Sequence, residues 1–150
     1  MMIDYAIWKR GIGSGVVAGI VWGWLAMIIH AVTKISPVEH SILYNMFPFT
    51  IGGVIFGILS GGLLALIHDR LPFKTSLGKA VMLTSLIWLM LHVGGFLLSL
   101  IDSGRYHYSS REAVQGLMLA VLLGGILGVV WSKANLRKEG FKGSRIQGVK

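Results

Sequence analysis

The sequence contains no cysteine, only three prolines and only six acidic residues among 150. Without cysteine, the chain holds no disulfide, no iron–sulfur cluster, no thiolate zinc site and no c-type haem attachment. It also lacks the short motifs of serine hydrolases, phosphate-binding loops and zinc peptidases. We therefore expect a protein that is not an enzyme and that has neither a cofactor nor a nucleic-acid partner.

Long apolar stretches dominate what is present. Hydrophobic residues make up 54% of the chain, charged residues make up 13%, and the mean hydropathy is +0.72. Four stretches contain about 19 to 23 residues each, the length that crosses a hydrocarbon core of roughly 30 Å as a helix. They cover residues 11–32, 49–67, 79–101 and 113–131. This pattern predicts an all-α membrane protein with four transmembrane helices rather than a soluble bundle.

The connections between these stretches are short, which predicts antiparallel neighbours in an up-down-up-down bundle. Residues 1–131 then form one membrane domain. Pro37 and Pro48 bracket the first outer loop, and within that loop 38–46 has the spacing of a short interfacial helix. The remaining 132–150 is a basic tail, for which we expect a short helical extension followed by disorder.

Basic residues lie mainly on one side of the predicted membrane. Lys34, Arg105 and Arg111 fall on one side, and the other eleven of the fourteen Lys and Arg residues fall on the opposite side. We therefore expect a multi-pass protein of the plasma (inner) membrane. The positive-inside rule places both of its termini in the cytoplasm. Because the acids divide evenly, the net charge of +8 belongs to the cytoplasmic face. We expect anionic lipid headgroups as partners there, in addition to the bilayer itself.

Small residues recur at intervals of three and four, which keeps them on one face of a helix. The glycines among them are Gly15, Gly19 and Gly23, then Gly53, Gly57 and Gly61, and finally Gly116, Gly124 and Gly128. Such glycine-zipper faces let helix backbones approach closely in lipid. They predict packing within the bundle or between copies, and a pore-lining role is the alternative.

Polar and small residues also share one face of the third stretch. That face carries Ser85, Trp88, His92, Gly95 and Ser99, and His30 extends the first stretch's small-residue face. An ionisable residue within a span is a functional hypothesis, because burying it without a partner is costly. We expect this face to look into the bundle.

His92 itself has three readings. It makes one interhelical hydrogen bond, for example to Gln115 or a backbone carbonyl. Alternatively, it relays protons, or it serves as a cofactor-binding axial ligand. His40 and His107 fall in the outer loops without metal-ligand spacing, so solvation is favoured over a metal site.

Several short segments together resemble a known group of proteins. They are Gly19–Gly23 (GIVWG), Ile35–Pro37 (ISP), Gly78 with Trp88 and His92, and the Gly-rich fourth stretch that ends in basic residues. In this layout the chain is similar to YqhR-like small bacterial membrane proteins and, more distantly, to YagU-like ones. The resemblance implies a bacterial membrane protein and supplies no activity.

The function favoured by these patterns is that of a non-enzymatic integral membrane protein, self-associating or an accessory subunit of a larger membrane complex. One alternative is a small channel or transporter that responds to the protonation of His92. A second is a membrane subunit that holds a cofactor through the same histidine.

Overall fold

A computed structural model describes residues 5–33, 42–101 and 110–147, and within these the side chains of 5–33, 43–101 and 111–134. This part of the chain forms four long helices: α1 (Tyr5–Thr33), α2 (Ile42–Ile67), α3 (Ser76–Ile101) and α4 (Ser110–Gln147). Each of the four is long and apolar enough to cross a membrane. The prediction of an all-helical protein with four membrane-spanning helices is confirmed at this level.

The start of α2 differs from the prediction. We expected Pro48 to end a loop and 38–46 to be a separate interfacial helix, but α2 begins at Ile42 and continues through Pro48. Residues 38–41 lie outside the described residues. A membrane helix tolerates proline where neighbouring groups satisfy the backbone. Two residues after the proline, the Thr50 hydroxyl donates to the Met46 carbonyl (2.7 Å) and accepts from Trp24 Nε1 (2.9 Å), so a side-chain bond ties this part of α2 to α1.

The end of α4 also differs from the prediction, because the helix continues to Gln147 instead of giving way to disorder soon after Ser132. The segment 132–147 contains three Lys, two Arg, one Leu and one Glu, all of which favour a helix. Residues 148–150 lie outside the described residues.

The connection between α2 and α3 is short and is held by local hydrogen bonds. A 3₁₀ turn, His68–Arg70, follows α2. Thr75 then caps α3, because its hydroxyl accepts the backbone N–H of Gly78 (3.1 Å). The Lys79 ammonium reaches back to donate to the His68 carbonyl (2.6 Å), which places a cation at the end of α2.

Backbones meet directly between α1 and α2. A Cβ built on Gly57 would lie 2.8 Å from the Cα of Gly19, and one built on Gly61 would lie 2.9 Å from the Cα of Gly15. Real Cβ atoms do not approach other atoms this closely. The residues facing each other across the contact are Gly11 and Gly61, Gly15 and Gly57, Gly19 and Gly53, and Gly23 and Phe49.

Two further contacts complete the bundle. Gly124 of α4 faces Val81, and a Cβ built on Gly128 would lie 2.6 Å from the Cα of Leu77, so α4 packs closely on α3. On its other side, α4 contacts α1. The helices are therefore arranged in the order α2, α1, α4, α3, and the consecutive helices α2 and α3 meet at only a few positions.

The buried apolar core lies toward the end of the bundle where α2 stops and α3 starts. It consists of Ala18, Leu64, Ala80, Leu83, Leu123, Leu127 and Trp131. Toward the other end, the large apolar side chains of α3 from Leu89 to Ile101 are exposed. Such a surface is compatible with lipid, because hydrocarbon tails are as apolar as leucine.

Candidate functional site

A cavity of about 200 Å³ lies between the four helices. Its walls are Trp22 of α1, Phe56 and Ser60 of α2, Thr84, Ile87, Trp88 and Leu91 of α3, and Gly116, Leu119, Ala120 and Leu123 of α4. Apolar cavities of roughly 150 Å³ stay dry and accept a benzene-sized molecule. This cavity can therefore hold one ring-sized apolar group.

Two hydroxyl groups line the cavity, and they differ in their hydrogen bonding. Thr84 is buried and donates to the Ala80 carbonyl (3.0 Å). Ser60 is 1% exposed, and its Oγ has no hydrogen-bond partner. An unpaired buried hydroxyl is costly, which makes Ser60 a candidate that the sequence reasoning missed. In the sequence, Ser60 follows Gly57 by about one helical turn, and this spacing could have indicated that it shares the glycine face.

Trp22 joins α1 to α4 at the cavity. Its indole Nε1 donates to the Leu119 carbonyl (2.6 Å), and its ring lies 6.0 Å from the ring of Phe56, tilted by 31°. The hydrogen bond fixes the indole, so this cavity wall is held in one orientation.

His92 stacks on a cavity residue. The His92 and Trp88 rings lie 4.7 Å apart with an angle of 13° between their planes. The Trp88 indole also touches α4, since a Cβ built on Gly116 would meet it. The Nε2 atom of Gln115, the residue that we named as a possible partner of His92, has no hydrogen-bond partner. His92 is not among the residues that line the cavity, and it lies beside the cavity wall through its stack on Trp88.

The remaining residues of the predicted polar face are distributed along α3. Ser85 and Ser99 are half-buried, and the Ser99 hydroxyl donates to the Phe96 carbonyl of its own helix (2.7 Å). Gly95 is exposed, with nothing within 4 Å of a Cβ built on it. The structure thus brings Trp88 and His92 together and leaves Gly95 open to the surroundings.

His30 has local partners near the end of α1. Its Nδ1 lies 2.8 Å from the Ala26 carbonyl oxygen, and its ring meets Phe49 edge-on at 5.5 Å. Within the described residues, no three His, Asp or Glu side chains form a group that could hold a metal ion. His40 and His107 lie outside those residues.

A second pair of stacked rings, also missed from the sequence, lies at the end of the bundle where α2 stops. The His68 and Trp131 rings stack at 5.6 Å, and His68 Nδ1 lies 3.2 Å from an Asp69 carboxylate oxygen. His68 Nε2 and Trp131 Nε1 are buried without a partner. The cluster ties the end of α2 to α4.

No family model matches this chain, and neither a curated protein nor a solved structure matches it.

Proposed function

We propose that this is a non-enzymatic, four-span integral membrane protein that associates with itself or serves as an accessory subunit of a membrane complex. The chain is an antiparallel up-down-up-down bundle in a bacterial plasma (inner) membrane, with both termini in the cytoplasm. The order of the facing glycines supports the direction of the helices, because residue numbers rise along α1 as they fall along α2. The excess of Lys and Arg on one side supports the orientation.

The open outer part of α3 carries the proposal of association. Gly94 and Gly95 have nothing within 4 Å of a built Cβ, whereas Gly53 and Gly57 are each in contact with a helix backbone. In lipid, helices associate through small residues that let backbones approach and through polar side chains between helices. Gly95 lies one turn from His92 on the same face, so this surface has the chemistry of a helix-packing face that the bundle itself leaves uncovered.

Cross-linking and single-molecule photobleaching in native membranes test the association. Gly95→Leu is expected to lower the oligomeric or complexed fraction, because the added side chain holds the partner helix away. Gly13→Leu is the matched control, since Gly13 is equally open but lies on α1. An equal effect of the two substitutions, or none from Gly95→Leu, contradicts the proposed face.

The stack of His92 on Trp88 favours one second candidate, a small channel or transporter that responds to protonation. Protonation of His92 adds a charge beside the cavity wall and would bias its shape. Flux of small ions into proteoliposomes, measured between pH 5 and 8, tests this directly. His92→Gln is expected to abolish the pH dependence while keeping the fold. The absence of any flux in the wild type eliminates this candidate.

A further inference from the structure

A groove of about 590 Å³ runs between the last turns of α1 and the first turns of α4. Its walls are hydrocarbon, with Ile29 on α1 and Met118 and Leu122 on α4 among them. Two polar residues of α4, Arg111 and Gln115, line it at one end. Its volume is within the range of pockets that bind small molecules.

Gln115 is the unusual residue of this groove. It is only 8% exposed, and its Nε2 has no hydrogen-bond partner. The Thr33 hydroxyl on the facing helix donates to the Ile29 carbonyl (2.8 Å), and it does not accept from the Gln115 amide. A buried amide without a partner is costly. The terminal torsion of glutamine is broad, so rotation of the side chain turns the amide toward an acceptor in the groove that it lines.

The spacing of the two polar residues matches the layers of a membrane. Arg111 and Gln115 are four residues apart on one helix face, about 6 Å along the axis. The headgroup region is roughly 5 to 8 Å thick on each side of the hydrocarbon core. With the guanidinium among the headgroups, the amide lies at the hydrocarbon boundary. The groove then continues to Leu122, about 16 Å below Arg111 and roughly half-way through the bilayer.

We propose that the groove binds one diacyl phospholipid. Arg111 contacts the phosphate, the Gln115 amide donates to an ester carbonyl, and one acyl chain lies along the apolar walls. The proposal needs only that the bundle crosses a membrane, for which all four helices are suited. Glu112 is turned about 100° around the helix from Arg111 and does not line the groove, so its carboxylate does not face the phosphate.

Other occupants fit the groove less well. A water-soluble anion finds hydrocarbon walls beyond Arg111 and gains nothing from them. A second copy of this chain docked through the same face brings two copies of Arg111 to one interface, and like charges there oppose association. A phospholipid supplies all three features in the required order. Its phosphate meets Arg111, its ester carbonyl lies one layer deeper at Gln115, and its acyl chain lies along the apolar walls.

The test uses the full chain in detergent, stripped of lipid, with the thermal unfolding midpoint measured against added lipid. Dioleoyl phosphatidylglycerol, which has ester carbonyls, is expected to raise the midpoint at lower concentration than its diether analogue, which has none. Sodium phosphate alone is expected to have no effect. Equal responses to the diester and diether lipids, or a full response to sodium phosphate, overturn the proposal.

Two variants separate the two contacts. Arg111→Gln is expected to raise the concentration needed for both lipids about tenfold, equivalent to about 1.4 kcal/mol. Lys133→Gln, which removes an exposed charge farther along the same helix, is the control and should leave that concentration unchanged. Gln115→Leu replaces the amide by an apolar side chain of similar volume and should fold. It is expected to respond equally to the diester and diether lipids, and a preserved preference for the ester overturns the role of the amide.

Discussion

The direct backbone contact between α1 and α2 makes a prediction that two adjacent glycines can test. Gly52 and Gly53 are neighbours in α2, but only Gly53 faces α1. A Cβ built on Gly52 has nothing within 4 Å, whereas one on Gly53 would lie 3.1 Å from the Cα of Gly23 and closer still to the carbonyl oxygen of Gly19. We expect Gly53→Ala to destabilise the protein and Gly52→Ala to leave it as stable as before or slightly more so.

The magnitude follows from the geometry. Packed carbon atoms lie about 3.5 to 4.0 Å apart, so Gly53→Ala requires the helices to separate by at least roughly 0.4 to 0.9 Å at that level. A gap of about 0.5 to 1 Å loses about a quarter to a half of the dispersion energy of each contact. Overpacking of this kind costs about 1 to 3 kcal/mol. Both variants gain the same preference of alanine over glycine in a helix, so that contribution cancels in their difference.

The assay is unfolding of the purified protein by heat or by SDS in mixed micelles, with both variants measured beside the wild type. The free energy of unfolding of Gly53→Ala is expected to fall below that of Gly52→Ala by about 1 to 3 kcal/mol. Equal stability of the two variants would show that α1 and α2 do not meet at Gly53, and the reasoning from backbone contact would fail.

Three other predictions concern different parts of the chain. A reporter that is active only outside the cytoplasm should be inactive after Lys150 and active near Gly104, and the reverse pattern refutes the proposed orientation. Trp22→Phe keeps an aromatic ring but removes the donor to the Leu119 carbonyl, so thermal unfolding should show a loss of about 0.5 to 1.5 kcal/mol; unchanged stability means that this bond contributes nothing. His92→Leu should cost about 1 to 3 kcal/mol and His92→Gln should restore the stability, whereas full stability of the leucine variant contradicts a packed role for the imidazole.

The four spans could be predicted because the thickness of the bilayer fixes the length of each apolar stretch. The course of α2 through Pro48 could not, because the local rule treats proline as a helix breaker. Beside the proline, the Thr50 hydroxyl accepts a hydrogen bond from the indole of Trp24 on another helix, which ties α2 to α1 there. Contacts of that kind depend on which helices become neighbours, and no short segment encodes them.

The candidate sites show the same limit. The spacing of Gly95 with Trp88 and His92 predicts one shared face, yet Trp88 lies against α4 while Gly95 lies open. Periodicity predicts which residues share one face of a helix, but it does not predict how far along that face a neighbouring helix stays in contact. The stack of His68 on Trp131 joins residues far apart in sequence, and neither residue stands out in its own segment.

The limited contact between α2 and α3 divides the chain into two helix pairs, α1 with α2 and α3 with α4, which are joined chiefly where α1 meets α4. The backbone contacts within each pair involve only the two helices of that pair. During synthesis, the first pair can therefore form in the membrane before α3 has left the ribosome. A chain cut between Arg70 and Thr75 keeps both pairs intact, and we expect the two fragments, when co-expressed, to reassemble through α1 and α4.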